Sequence, residues 1–372
     1  MKNTNPFNLS GFAGKAYFCD REDELALLRE NVDNGRNTVL FSWRRMGKTS
    51  LVRYFLSALE KDKQAETLYV DLLATRNTEE AIKAITQATY ERFGKTQKGF
   101  SQSFRRLIGR LGAEVGFDPV TGLPSLGFSL QHAPEPESSL QAIGEFLSEK
   151  KKPVVIAIDE FQQISHYLHQ KGEAVFRSWM QGFPKVRFIF SGSHRGVMTS
   201  MLTSENRPFY RSAELMSLTA IDQGKYLIFI KNHFLKAEKK ITDEVVHSVF
   251  EWSLGQTYAV QLICNKLFGR FDNIGKVELH AVLNEILDQE SSFFSQYANL
   301  LSKTQWNVLL AIAKEGKVQN PLSSDFINSH HLKAASSVST ALGMLRDKEI
   351  VVKDEKDYRV HDIIFMRWMK RL

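Results

Sequence analysis

Apolar positions recur at helical spacing from Glu22 to Asp33, where Leu25, Leu27, Leu28 and Val32 gather on one side. A polar turn, Asn34 to Asn37, then feeds the short apolar run Thr38 to Ser42, which reads as a strand. Helical spacing resumes from Ser50 to Leu56, so the intervening segment WRRMGKT lies between a strand and a helix. Further strands are expected at Thr67 to Leu72, Pro153 to Ile158 and Val186 to Ser191, with an amphipathic helix at Thr78 to Arg92. These strand runs are continuously apolar and do not alternate with polar residues. That pattern belongs to strands covered on both faces, so the expected fold class is α/β, a mostly parallel sheet with helices on both sides.

The stretch from Gly94 to Glu137 breaks the alternation. Asp118 to Pro124, rich in proline and glycine and followed by Ser125 to Leu130, predicts a hairpin or flap inserted into the core. After about Ser217 the strand signals stop. Helices are expected at Asp222 to Ala237, Thr242 to Ser253, Thr257 to Gly269 and Val277 to Gln296, an all-α domain over 217–296. The last block, 297–372, shows helices at Ser302 to Lys314, Ser323 to Asn328 and Ala335 to Asp347. Two short strands, Glu349 to Lys353 and Asp357 to Val360, then flank Asp354 to Lys356. Three helices followed by a two-stranded ribbon predict a winged helix. The core domain is thus expected over 1–216, with its insertion at about 94–137.

Composition narrows the class. Of 372 residues, 43% are hydrophobic and 24% charged, which supports two or three packed domains and excludes a disordered or collagenous chain. The net charge of +7 permits nucleic-acid binding without requiring it. Two cysteines, Cys19 and Cys264, cannot build a disulfide framework, and no apolar run has the length of a signal peptide or a membrane span. A cytoplasmic location, with no membrane partner, is the expectation.

The chemistry concentrates at Gly47-Lys48-Thr49. A loop turning into a helix N-terminus meets triphosphate oxygens with backbone N–H groups and the positive end of the helix dipole. Gly47 permits close backbone approach, Lys48 reaches the β and γ phosphates of ATP, and Thr49 places its hydroxyl on Mg²⁺. The same tripeptide recurs at Gly94-Lys95-Thr96. Both copies lack the glycine five positions ahead, where Ser42 and Thr89 stand. Context separates them: the first copy follows a strand and opens a helix, whereas the second follows a helix and leads into irregular polar sequence.

Partner residues support the first copy. The strand PVVIAI runs into Asp159-Glu160, placing Asp159 at the carboxyl edge of the sheet, where it holds a water of the Mg²⁺ shell, and Glu160 as the group that orients or deprotonates the attacking water. Val186 to Ser191 ends near Ser193, the first candidate to sense the γ-phosphate, with Arg195 second. Arg44, Arg45, Arg207 and Arg211 are available as planar cationic donors to phosphate.

With these residues in view, the chain resembles the archaeal-type and bacterial ATPase group of the STAND class of P-loop NTPases, relatives of the AAA+ origin-recognition proteins. Phe18 to Leu25 (FCDREDEL) is similar to the opening motif that lies against adenine, which implies nucleotide contacts from Phe18 and Arg21; Asp20 stands where glycine is usual. SWRRMGKTSL resembles the family's arginine-rich phosphate loop, which extends the implied nucleotide contacts across Arg44, Arg45, Met46, Gly47, Lys48, Thr49 and Ser50. IAIDEFQQI resembles its acidic motif, and Arg207 to Arg211 (RPFYR) a tyrosine and arginine stretch that favours Arg211 as the catalytic arginine. The family's helical lid carries a Gly-x-Pro element, whereas Gly255-Gln256-Thr257 stands here. Tyr358 to Asp362 and Phe365 to Trp368 are typical of the group's winged helix.

Other features carry less. His166 and His169 lack the further ligands a zinc site needs, and the aromatic pair Phe293-Phe294 reads as core. From Leu301 onward twelve Lys or Arg stand against eight Asp or Glu, yet the presumed recognition helix Ala335 to Arg346 is nearly neutral. Contact with double-stranded DNA through Ser337, Ser339, Thr340, Lys353, Lys356 and Arg359 is one expectation, and docking to protein or self-association the other. The expected activity is that of an ATP-binding, slowly hydrolysing switch that repositions its winged helix. The alternative is a DNA-binding or protein-binding adaptor in which ATP is structural.

Overall fold

A computed structural model of the chain describes residues 4–9, 11–12, 14–94, 102–117, 124–128, 135–167, 172–354 and 356–372. Lys95, Thr96, His169 and residues 118–123 lie outside the described residues. Contacts divide the chain into two compact units. One comprises Gly14–Ala16 and Arg21–Thr219; the other comprises Met1–Ala13, Tyr17–Asp20 and Ala220–Leu372.

In the first unit α1 (Glu22–Asp33) leads to β1 (Thr38–Phe41), α2 (Lys48–Lys61), β2 (Glu66–Asp71) and α3 (Thr78–Phe93). Then come α4 (Gln102–Arg110) and the antiparallel pair β3 (Ala113–Phe117) and β4 (Pro124–Phe128). They are followed by α5 (Pro136–Ser148), β5 (Val154–Asp159), a 3-10 segment Phe161–His166, α6 (Gly172–Gly182), β6 (Val186–Gly192), α7 (Arg195–Thr203) and β7 (Glu214–Ser217). The antiparallel pair β3 and β4 falls within the stretch where a hairpin or flap is expected, and its first strand precedes Asp118. Five strands form one parallel sheet in the order β2-β5-β6-β1-β7.

The sheet obeys the pattern that predicted it. Every residue of β1 and β5 is buried, and helices cover both faces. On α2 the buried side chains Leu51, Val52, Phe55, Leu56 and Leu59 recur at three to four residue spacing, each contributing about 1.5–3 kcal/mol through burial. Register then positions the chemistry. Asp71 pairs with Asp159, Ile158 with Phe190, and Phe41 with Gly192, so the residues that follow β1, β5 and β6 gather along one carboxyl edge.

The second unit contains α8 (Gln223–Lys236), β8 (Lys240–Ile241), α9 (Asp243–Ser253), α10 (Thr257–Arg270), β9 (Asn273–Ile274) and α11 (Lys276–Leu300). It continues with α12 (Lys303–Glu315), α13 (Ser324–Ser329), α14 (Ala335–Asp347), the ribbon β10 (Val351–Asp354) and β11 (Asp357–Val360), and α15 (Ile363–Met369). The three helices and ribbon from α12 to β11 form the winged helix, with Val351 opposite Val360 and Asp354 opposite Asp357. One hydrophobic core runs from the helical region into this module, and α11 passes unbroken through residue 296. The last helix makes the join. Arg367 donates to the carbonyls of Trp252 and Glu251, each at 2.9 Å, while Trp368 Nε1 donates to Ser291 Oγ at 3.1 Å. Phe7, fully buried beside Phe234 and Phe268, also belongs to this core.

Candidate nucleotide-binding site

The loop between β1 and α2 is shaped by two left-handed residues. Gly47, at φ 91°, caps α2 and occupies backbone space that glycine enters without steric cost. Arg45, at φ 66°, does so against the preference of a side-chain-bearing residue. Arg44 and Arg45 are exposed, Met46 is buried, and Ser50 is half-buried in the first turn of α2. Lys48 is only 5% exposed, with Nζ 3.5 Å from the Ser42 carbonyl oxygen. Its ammonium therefore lies over the loop's interior and not on the surface.

Asp159 joins this loop to the sheet. Thr49 Oγ1 donates to its Oδ2 at 2.7 Å, and Tyr69 OH to the same oxygen at 2.8 Å. Ser191 Oγ donates to Oδ1 at 2.6 Å, and the backbone N–H of Glu160 reaches Oδ1 at 3.1 Å. A carboxylate that is 2% exposed is costly to bury without such partners. Tyr69 has its phenol pushed up by burial and then by the neighbouring Asp159 charge, so it stays a neutral donor; Arg53 lies over its ring at 4.0 Å. Burial likewise raises Asp71, the register neighbour of Asp159, above the usual carboxylate range.

Glu160 follows in the left-handed region at φ 52°, a strained setting for a glutamate that a fold retains where a side chain must be aimed. Its Oε2 accepts from Ser193 Oγ at 2.8 Å and from Gln162 Nε2. Thus the structure brings Thr49, Asp159, Glu160 and Ser193 into one connected network at the end of the sheet. Sequence reasoning missed three members, Tyr69, Gln162 and Ser191. The signals were a tyrosine between Leu68 and Val70, a serine near the end of the strand before Ser193, and an amide two residues past the acidic pair.

The remaining candidates are placed differently. Arg195 lies over Phe41 and Trp43, each 5.8 Å from ring centroid, beside the start of the loop. Arg207 is committed elsewhere: it pairs with Glu173 and donates to Ser200 Oγ at 2.6 Å and Ser165 Oγ at 3.0 Å. Arg211 is exposed, at φ 50°, its guanidinium 5.2 Å from the Tyr210 ring, and no hydrogen bond among the described residues joins it to Asp159 or Glu160. Arg21 is buried, donating to Glu24 and to the Thr219 carbonyl, each at 2.7 Å. Phe18 belongs to the helical unit and packs edge-on to Phe12 at 6.1 Å. Among the described residues no group of three or more His, Cys, Asp or Glu forms a metal cluster, and Cys19 and Cys264 are buried thiols.

The donor chemistry suits a magnesium nucleotide. A hydroxyl and a carboxylate in mutual contact are hard oxygen ligands, and a buried lysine with a left-handed glycine at a helix N-terminus suits phosphate.

Known proteins bear on this geometry in sequence and in fold. Residues 18–263 match the family described as an ATPase domain predominantly from Archaea, and residues 292–371 match one described as a probable winged helix domain. Among curated proteins no sequence matches. The chain is similar in fold to the Walker-type ATPase PABY2304 of Pyrococcus abyssi, with 18% identity, TM-score 0.68, and coverage of 99% of this chain and 100% of that one. It is similar to the ORC2 protein of Aeropyrum pernix, solved as ADPNP-ADP complexes, with 12% identity, TM-score 0.62 and coverage of 100% and 97%. The ORC1 protein of the same organism, solved in complex with DNA, gives 14% identity, TM-score 0.52 and coverage of 95% and 93%. At such identities the likeness is one of fold, but the family match spans well over half of the chain. With the loop before α2, the acidic strand end and the terminal winged helix all in place, the chain belongs to the archaeal-type family of P-loop ATPase domains.

Proposed function

We propose that the chain binds ATP with Mg²⁺ at the loop before α2 and hydrolyses it slowly, as a switch of the STAND class whose nucleotide state is read out through the winged-helix module. The observation that carries this reading is the 2.7 Å contact between Thr49 and Asp159, made beside a buried Lys48. In this reading the backbone from Arg44 to Ser50 and the Lys48 ammonium hold the phosphates, and Thr49 and Asp159 hold the metal ion, which supplies charge neutralisation between the phosphates. Glu160 orients the water and takes its proton, while Ser193 donates to the γ-phosphate. Arg211, exposed on a strained backbone, is the proposed arginine of the site, since Arg207 is already bound to Glu173. Duplex DNA, a protein or a second copy of the chain is the proposed partner of the winged helix.

The test is phosphate release. Wild type should turn over ATP only with Mg²⁺, and Glu160→Gln should keep ATP binding while losing at least about 100-fold in kcat, the range for removing a general base. Full turnover by the variant would overturn the assignment. The same assay with and without duplex DNA, at two salt concentrations, separates a DNA-responsive switch from an adaptor that holds ATP without using it.

A further inference from the structure

Glu160, Ser193 and Gln162 form a closed triangle of hydrogen bonds. Ser193 Oγ donates to Glu160 Oε2 at 2.8 Å, Gln162 Nε2 donates to the same oxygen, and the amide nitrogen also lies 3.4 Å from Ser193 Oγ. Both N–H groups of one amide are thereby used, one on the acid and one on the hydroxyl. No hydrogen bond among the described residues reaches Glu160 Oε1.

Gln162 is unusual for a side chain just past a strand end. It is 4% exposed, and its carbonyl oxygen is buried without a hydrogen-bond partner. Folds rarely leave such an atom unpaired, and those that do usually need the rest of the group where it is. Turning the amide over would not help, because its oxygen would then face the Glu160 carboxylate. Gly192 provides the space. A Cβ there would sit 2.5 Å from the Gln162 carbonyl oxygen and 2.5 Å from Met198 Sδ, while Gly192 has no positive φ that would itself demand glycine. The last residue of β6 is therefore glycine to admit this side chain, one position before Ser193.

We propose that Gln162 is a positioning residue for hydrolysis: its amide holds Glu160 by Oε2 and ties it to Ser193, so that Oε1 is the oxygen presented to the attacking water. The inference rests on the hydrolysis reading above and adds a residue to it. When Ser193 turns its hydroxyl toward a phosphate oxygen, Gln162 is the donor that keeps the glutamate aimed. Misplacement of such a group by about 1 Å costs on the order of 100-fold in rate without changing how substrate binds.

The experiment is steady-state ATP hydrolysis together with equilibrium ATP binding for wild type, Gln162→Met and Gly192→Ala, with thermal unfolding as the check on folding. Gln162→Met, of similar volume and without donors, should lower kcat about 10- to 100-fold while KM and ATP affinity stay within about 2-fold. Gly192→Ala, which keeps the amide but crowds it, should lower kcat in the same direction. If Gln162→Met does not fold, Gln162→Glu, of nearly the same shape but with a carboxylate against Glu160, carries the test and should show the larger loss. Wild-type kcat in the Gln162 variants would overturn this inference and leave the hydrolysis reading standing, as would loss of ATP binding in parallel with turnover. A wild type that binds ATP but releases no phosphate would remove the hydrolysis reading and this inference with it.

Discussion

Asp159 accepts four hydrogen bonds, and three of the four donors come from other strands or from α2. Burying such a group is costly unless those donors remain. Removing the Tyr69 hydroxyl by Tyr69→Phe should therefore cost about 1–3 kcal/mol in urea unfolding, the range for stranding a buried partner of a charged group, with the ring still under Arg53. An unchanged unfolding midpoint would show that the hydroxyl contributes nothing to stability. Residue types and strand ends were enough to single out Lys48, Thr49, Asp159, Glu160 and Ser193 in the sequence. Tyr69 was not legible because it meets Asp159 only through strand pairing across 90 positions of chain, and Gln162 because its orientation depends on a glycine in a third strand.

Elements with strong periodicity were readable to within a residue or two: α1 and α14 have the bounds their apolar spacing predicts, and β5 begins and ends one residue later than expected. Two of the elements that escaped have weak signals. In β7 only Met216 of four residues is buried, so an edge strand left no apolar run to read. In α7 a glycine, two threonines and a histidine cap conceal a helix that buries Met198, Met201 and Leu202. Between elements, charge provides a measurable staple: Glu285 of α11 pairs with Arg270 and Lys266 of α10, which hold its carboxyl down to about 2. A folded-state value below the ordinary 4.5 means the stabilisation is complete above pH 4.5 and is lost as pH falls toward 2. On a partly exposed surface it amounts to no more than about 1 kcal/mol. Glu285→Gln should thus unfold at lower temperature than wild type at pH 7, and the gap should narrow by pH 3. A gap independent of pH would assign the difference to packing instead.

At the scale of the molecule, the chain comprises a P-loop sheet unit and a helical unit whose core continues into the winged helix. That continuity was not visible in the sequence, where a change from strands to helices marks a boundary but the bridging carbonyl contacts of Arg367 leave no pattern. Among the described residues no helix is long and apolar enough to cross a membrane. What the account requires first is that the loop around Lys48 cradles a triphosphate. The direct measurement is calorimetric titration of ATP with Mg²⁺ into wild type and Lys48→Ala. Saturable binding of one nucleotide per chain in wild type, and none in the variant, is the predicted result; equal affinity in the two would contradict it.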